Sequence, residues 1–141
     1  MSDELIGIYI FNRQGDFMIA KKVKVFRSGG GSTKTAQTVG MQREELVSTQ
    51  NAWVGMVQTE PGFTSGWHHH GDYDTYVYVI SGELKLDFGE AGKESCVAKA
   101  GEVAFIPSDT VHRESNPSTE KQVLFGVRVG QGAPVFNVDS P

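Results

Sequence analysis

The stretch Thr75-Tyr-Val-Tyr-Val-Ile-Ser-Gly-Glu-Leu-Lys-Leu-Asp-Phe88 decides the fold class. Its first half is β-branched and aromatic, the composition of a strand packed on a pleated surface. Its second half alternates strictly, so Leu84, Leu86 and Phe88 share one face. Ser81-Gly82 lies between them, and two such runs around a glycine turn predict a β-hairpin. Read outward from here, the texture persists. Trp53–Thr59, Val103–Ile106 and Gln122–Val129 predict strands, and Ser95–Ala98 a short one after a turn at Gly89–Gly92. Ile6–Phe11 and Phe17–Phe26 flank a polar turn and predict a further hairpin. Arg27–Gly40, with its Gly29-Gly30-Gly31 run, has no core pattern and reads as a loop. Met41–Val47 fits a short helix or a strand equally. No stretch keeps a helical period over three turns. Short strands with turn signals about every 8–12 residues predict an all-β sandwich or barrel.

The chain has 141 residues, enough for one compact domain with its own core. Gly is high at 17 and Pro low at 5, which indicates many tight turns and not a low-complexity chain. The formal charge is −4, and the 13 basic residues cluster only at Lys21, Lys22 and Lys24. That excludes a nucleic-acid binder, which needs a basic face. The apolar run Leu5–Phe11 is far short of the roughly 20 residues of a membrane span, so no membrane partner is expected. The acidic start MSDEL is unlike a signal peptide, and the single Cys96 has no disulfide partner. Both features point to a cytoplasmic protein.

The four histidines carry the chemistry. Three are consecutive, at 68–70, and the fourth is His112. On a strand, His68 and His70 project from one face and His69 from the other. Two imidazoles make a weak metal site, and a third must come from His112, just past a strand ended by Pro107. Glu114 follows two residues later, where alternation brings it to the same face as His112.

The spacing around these histidines resembles the two motifs of the cupins. Gly62, five residues, His68-His69-His70, four residues, Thr75, six residues and Gly82 match the first. Gly101, five residues, Pro107-Ser108-Asp109, two residues, His112, three residues and Asn116 match the second. Two positions depart: Thr75 replaces the family's usual metal-binding Glu, and Asp109 its usual Gly. The resemblance implies a double-stranded β-helix, a jelly-roll cupin barrel. Residues 46–141 would form the barrel and residues 1–45 an N-terminal β arm and loop, as one structural domain.

The resemblance also implies that His68, His70 and His112 bind one divalent transition metal, with Fe2+ favoured and Mn2+, Ni2+ or Zn2+ as alternatives. Without the usual Glu the site is a three-His one, a better Lewis acid with more open positions. Thr75, Asp74 or Glu114 would complete it. Glu114 is the expected catalytic acid/base or fourth ligand, and regular alternation turns Asp74 away. Gln58 and Arg128 lie on strands and could fix a substrate's carbonyl or carboxylate, against the simpler reading of a solvated sheet face. Cys96 reads as an inert core residue. Trp67 and Phe63 are expected over the barrel mouth. If position 75 faces inward, so do Val77 and Val79, and the outward Tyr76 and Tyr78 predict a homodimer contact.

The function expected is a metal-dependent enzyme. It would be dioxygenase-like, acting on a small oxygenated or dicarbonyl-type substrate. An isomerase, epimerase or decarboxylase uses the same residues equally well. The alternative from another class is a non-catalytic small-molecule-binding or sensor cupin. An open metal position facing an apolar pocket separates the first class from the second.

Overall fold

The computed structural model describes residues 9–11, 17–19 and 23–141. Its elements in chain order are β1 (Tyr9–Phe11), β2 (Phe17–Ile19), β3 (Gln42–Ser48), β4 (Ala52–Thr59), β5 (His68–His69), β6 (Asp74–Ser81), β7 (Glu83–Phe88), β8 (Glu94–Lys99), β9 (Val103–Ile106), β10 (Arg113–Ser115), β11 (Gln122–Val129) and β12 (Phe136–Asn137). A 3-10 turn, Glu90–Gly92, joins β7 to β8. Strands β3-β4-β11-β6-β9 form one antiparallel sheet. The opposing layer is β10-β7-β8, and β12-β5 extends it. The join is made by bridges between His68 and His112 and between Thr64 and Ser115.

Alternation decides which side chains meet between the layers. Val77 and Val79 from β6, Leu84 and Leu86 from β7, Val57 from β4 and Leu124 from β11 are all buried. With Met41, Ala98, Ala104 and Ile106 they form one core cluster. The Met41–Val47 segment resolves as strand β3, and it runs across residue 45, where the sequence places the end of the arm. The β1–β2 hairpin is present. The rest of Ile6–Phe11 and residues 20–22 lie outside the described residues, and Val23–Phe26 is not strand.

One expectation fails informatively. The runs on either side of Gly82 do not pair with each other. β6 pairs with β11 and β9, whereas β7 pairs with β10 and β8. Both runs carry an apolar face, so they stack face to face across the core and do not lie edge to edge in one sheet. Gly82 makes this corner, with φ +74. A Cβ there would meet the Cα of Gln122 at 2.9 Å. The real hairpin of this region is β7–β8, in register from Glu83↔Lys99 to Phe88↔Glu94. Cys96, expected in the core, is exposed, because β8 is an edge strand that buries only Ala98.

Gly82→Ala is expected to cost more than about 1 kcal/mol in urea unfolding, from its positive φ plus the backbone clash. Gly62→Ala, with φ +75 but nothing within 4 Å, is expected to cost less. Equal losses would mean that the close approach to Gln122 contributes nothing.

Candidate metal centre

The two motifs meet through their backbones. His68 N–H donates to His112 O at 2.9 Å, and His112 N–H returns the bond to His68 O at 2.9 Å. Residues paired in this way stand directly opposite each other, so their side chains leave on the same face. The two rings lie 4.3 Å apart between centroids. His70 adds a third ring at 5.2 Å from His68 and 5.0 Å from His112. Along β10, His112, Glu114 and Asn116 alternate inward and are buried, while Arg113 and Ser115 are only half-buried. Ser65 pins this strand: its hydroxyl accepts from Glu114 N–H at 2.9 Å, and its own N–H donates to Glu114 O at 2.7 Å.

His68, His70, His112 and Glu114 form one buried cluster whose ligand atoms all lie within 4.8 Å of one another. Each imidazole is oriented from behind. His68 Nδ1 meets Gly66 O at 3.0 Å, His70 Nδ1 meets Pro134 O at 2.8 Å, and His112 Nδ1 meets Thr110 O at 2.8 Å. A carbonyl only accepts, so each Nδ1 carries the proton and each Nε2 turns its lone pair to the centre. All three Nε2 atoms are buried without a hydrogen-bond partner, as is Glu114 Oε2. Glu114 Oε1 stands 3.3 Å from His112 Nε2 and 3.7 Å from His68 Nε2.

The electrostatics agree with a donor set for a cation. Burial lowers His68, against an opposing pull from Glu114. Burial and the charge of Arg128 hold His70 well below the usual imidazole value. Burial works to raise Glu114, but the neighbouring His112 and His68 rings outweigh it and keep the carboxyl well below its ordinary range. Neutral imidazoles and an ionised carboxylate are the forms that ligate. Donors this close match the scale of two metal–ligand bonds of about 2.1 Å laid end to end. The cluster suits a divalent metal, and it is a three-His-one-Glu set. The carboxylate missing at position 75 is supplied from position 114.

The other expected residues are distributed as follows. Thr75 faces inward and is 1% exposed, with its hydroxyl unpartnered. Asp74 faces away and accepts from Ser108 N–H at 2.9 Å. Asp109, where a glycine is usual, adopts φ +54, which explains the usual residue. Arg128 is buried, and its charge acts on His70. Gln58 is not brought to it: this residue is half-buried on the opposite face of β4, in a cleft with Met41, Phe63 and Lys121. Phe63 belongs to that cleft and not to a mouth over the cluster. Trp67 has the opposite parity to His68 and stacks on the Arg113 guanidinium at 4.6 Å. His69 also turns away, stacked on Phe136 at 5.0 Å.

Sequence reasoning missed Arg43, which is 0% exposed, and the C-terminal segment that supplies Pro134 O to His70. Arg43 carried little local signal, since it stands among four consecutive polar residues, Gln42–Glu45. Pro134 carried none, since a carbonyl has no residue-type signature. A cavity of about 110 Å³ lies against His112, walled by Leu86, Phe88, Phe105, Ile106 and Thr110, with Cys96 at its edge.

Comparison with known proteins agrees with this architecture. The chain is 49% identical to the uncharacterized protein YdbB of Bacillus subtilis strain 168 over 47 residues. That match covers 33% of this chain and 40% of the relative, so the chain spans well under two thirds of it. Among solved structures, an uncharacterized Klebsiella pneumoniae protein with a double-stranded β-helix domain superposes with TM-score 0.66 at 20% identity, covering 84% of this chain and 99% of the other. An oxalate oxidase in complex with the substrate analogue glycolate superposes with TM-score 0.61 at 24% identity, covering 77% of this chain and 59% of the other. The family model for the cupin domain matches residues 55–128, more than half of the 141, and spans both histidine motifs. The chain therefore belongs to the cupin family.

Proposed function

We propose that this protein is a metal-dependent cupin enzyme, dioxygenase-like, acting on a small oxygenated or dicarbonyl-type substrate. One observation carries the reading: three buried Nε2 atoms and a carboxylate converge with no partner of their own, while every Nδ1 is bonded from behind. Leaving such atoms buried and unpaired is costly unless something occupies the centre. When bound there, a divalent metal, Fe2+ in this proposal, supplies a Lewis acid and a redox centre for O2. His68, His70 and His112 would hold it with Glu114 completing the set, and the partnerless Glu114 Oε2 would exchange a proton with substrate. The mostly apolar cavity against His112 offers space for a small molecule beside the cluster, which favours an enzyme over a closed sensor barrel. A small oxygenated substrate agrees with the glycolate bound by the oxalate oxidase that shares this fold.

We also propose that a second copy covers the outer face of β6 and β9. Tyr76 pairs in register with Phe105 and Tyr78 with Val103, and all four are exposed, as are Ile80 and Val129. This makes a contiguous apolar patch on a regular sheet face. Among the described residues, no helix is long and apolar enough to cross a membrane.

Elemental analysis of protein purified without a tag or chelators is expected to find near one transition metal per chain, lost in His112→Ala. A metal-free wild type that also fails to take up Fe2+ would sink the reading. The loaded protein is expected to consume O2 with one class in a panel of diketones, catechols and hydroxy acids. Glu114→Gln, reloaded at saturating metal, is expected to lower kcat by roughly 10²- to 10⁴-fold. Light scattering is expected to give a dimer for wild type and a monomer for Phe105→Glu.

A further inference from the structure

Among the described residues, two arginines point into the same interior with no carboxylate at ion-pair distance. Arg43 is wholly buried and Arg128 is 3% exposed. Arg43 donates from Nη1 to Ala36 O at 3.1 Å, but its Nε and Nη2 have no partner. Arg128 lies over the Trp53 indole at 4.1 Å, and its Nε and Nη1 have no partner. Among the described residues, neither makes an ion pair with a carboxylate. A guanidinium stays protonated at any physiological pH, so both are full charges. Burial and mutual repulsion act on Arg128, and Glu114 attracts both. Glu114, however, already faces the histidines.

The sheet shows why the two side chains converge. On the inner face Arg43 is in register with Val57, and Arg128 with Trp53 on one side and Thr75 on the other. Between these rows lies the pair Gly55↔Gly126, two positions with no side chain on neighbouring central strands. The Trp53 indole folds over Gly55, where a Cβ would clash with it. Gly55 thus frees the space that the indole fills, and the Arg128 guanidinium lies over that indole. Arg128 borders the metal cluster, since its charge acts on His70. Thr75 adds an unpartnered buried hydroxyl beside it.

Unpaired buried cations weaken a fold, so a purely structural role does not account for them. Ordered water would satisfy their N–H groups but not their charge. We propose that Arg43 and Arg128 form an anion-recognition subsite inside the barrel, taking the carboxylate of a small organic acid whose other oxygens face the His68–His70–His112–Glu114 cluster. Arg128 supplies a fork that matches a carboxylate's two oxygens, Thr75 a hydroxyl donor, and Arg43 the second charge. The placement of the remaining oxygens rests on the metal-enzyme reading; the anion site itself does not.

The test is calorimetric titration of malonate, and of its uncharged diamide malonamide, into protein as purified and into chelator-treated protein. Malonate is expected to bind both forms, and malonamide at least tenfold more weakly. Arg43→Met and Arg128→Met are each expected to weaken malonate at least tenfold while leaving the ligand-free Tm unchanged or raised. Equal affinity for the two probes in wild type overturns the proposal, whether or not the variants fold. So does malonate binding that vanishes on chelation and is untouched by the variants, which places the acid on the metal alone. Absence of malonate binding to either form overturns it as well. Malonate binding that depends on the arginines, in a protein that is metal-free as purified and takes up no Fe2+, leaves this subsite standing and removes the metal-enzyme reading.

Discussion

The reciprocal backbone hydrogen bonds between His68 and His112 are the constraint on which the site depends. They join two segments more than forty residues apart and set their register. Register in a sheet is all or nothing, because a slip of one residue turns every side chain to the opposite face. With this pair fixed, His68, His70, His112 and Glu114 must all point inward. The same register turns Trp67, His69 and Arg113 outward, where Arg113 stacks on Trp67 and Phe136 on His69. The chemistry of the centre and the packing of the outer surface are thus two faces of one alignment.

The interior built around that alignment is unusually polar for a core of this size. The hydrophobic cluster of Val79, Leu84, Leu124 and their neighbours occupies one part of the space between the sheets. The other part holds three histidines, one carboxylate, two arginines and several hydroxyl and amide groups, all buried. Some are fully satisfied. Asn116 donates to Thr59 O and Glu120 O and accepts from Ser118, which ties the turn after β10. Others are left open, among them the three Nε2 atoms, Glu114 Oε2 and Thr75 Oγ1, and also Thr59 Oγ1 and Gln122 Oε1. The open atoms of the cluster put the cost of burial where a ligand would relieve it.

Much of this was legible from residues alone. Period-two alternation identified β4, β9 and β11 nearly to the residue, and it placed Val77 and Val79 inward. The spacing of His68, His70 and His112 indicated a common centre, and the two-residue step to Glu114 indicated its direction. The failures share a cause. The run around Gly82 looked like a hairpin because adjacent strands with a glycine between them usually pair. Whether two apolar faces lie side by side or stack depends on which other strands claim their edges, and that is a property of the whole sheet. Gln58 and Arg128 were equally plausible as polar strand residues. Parity along β4 and β11 separates them, and parity is known only once the inward face is known.

The sequence by itself determined that the chain is all-β, that it carries both cupin motifs, and which three histidines are suited to a metal. These are local properties, carried by alternation and by fixed spacings within short segments. Only the tertiary structure decided that Glu114 takes the place left by Thr75, that Pro134 holds His70, and that Arg43 and Arg128 share one interior. Those relations join positions tens of residues apart in the chain, and only the sheet registers bring them within reach of one another.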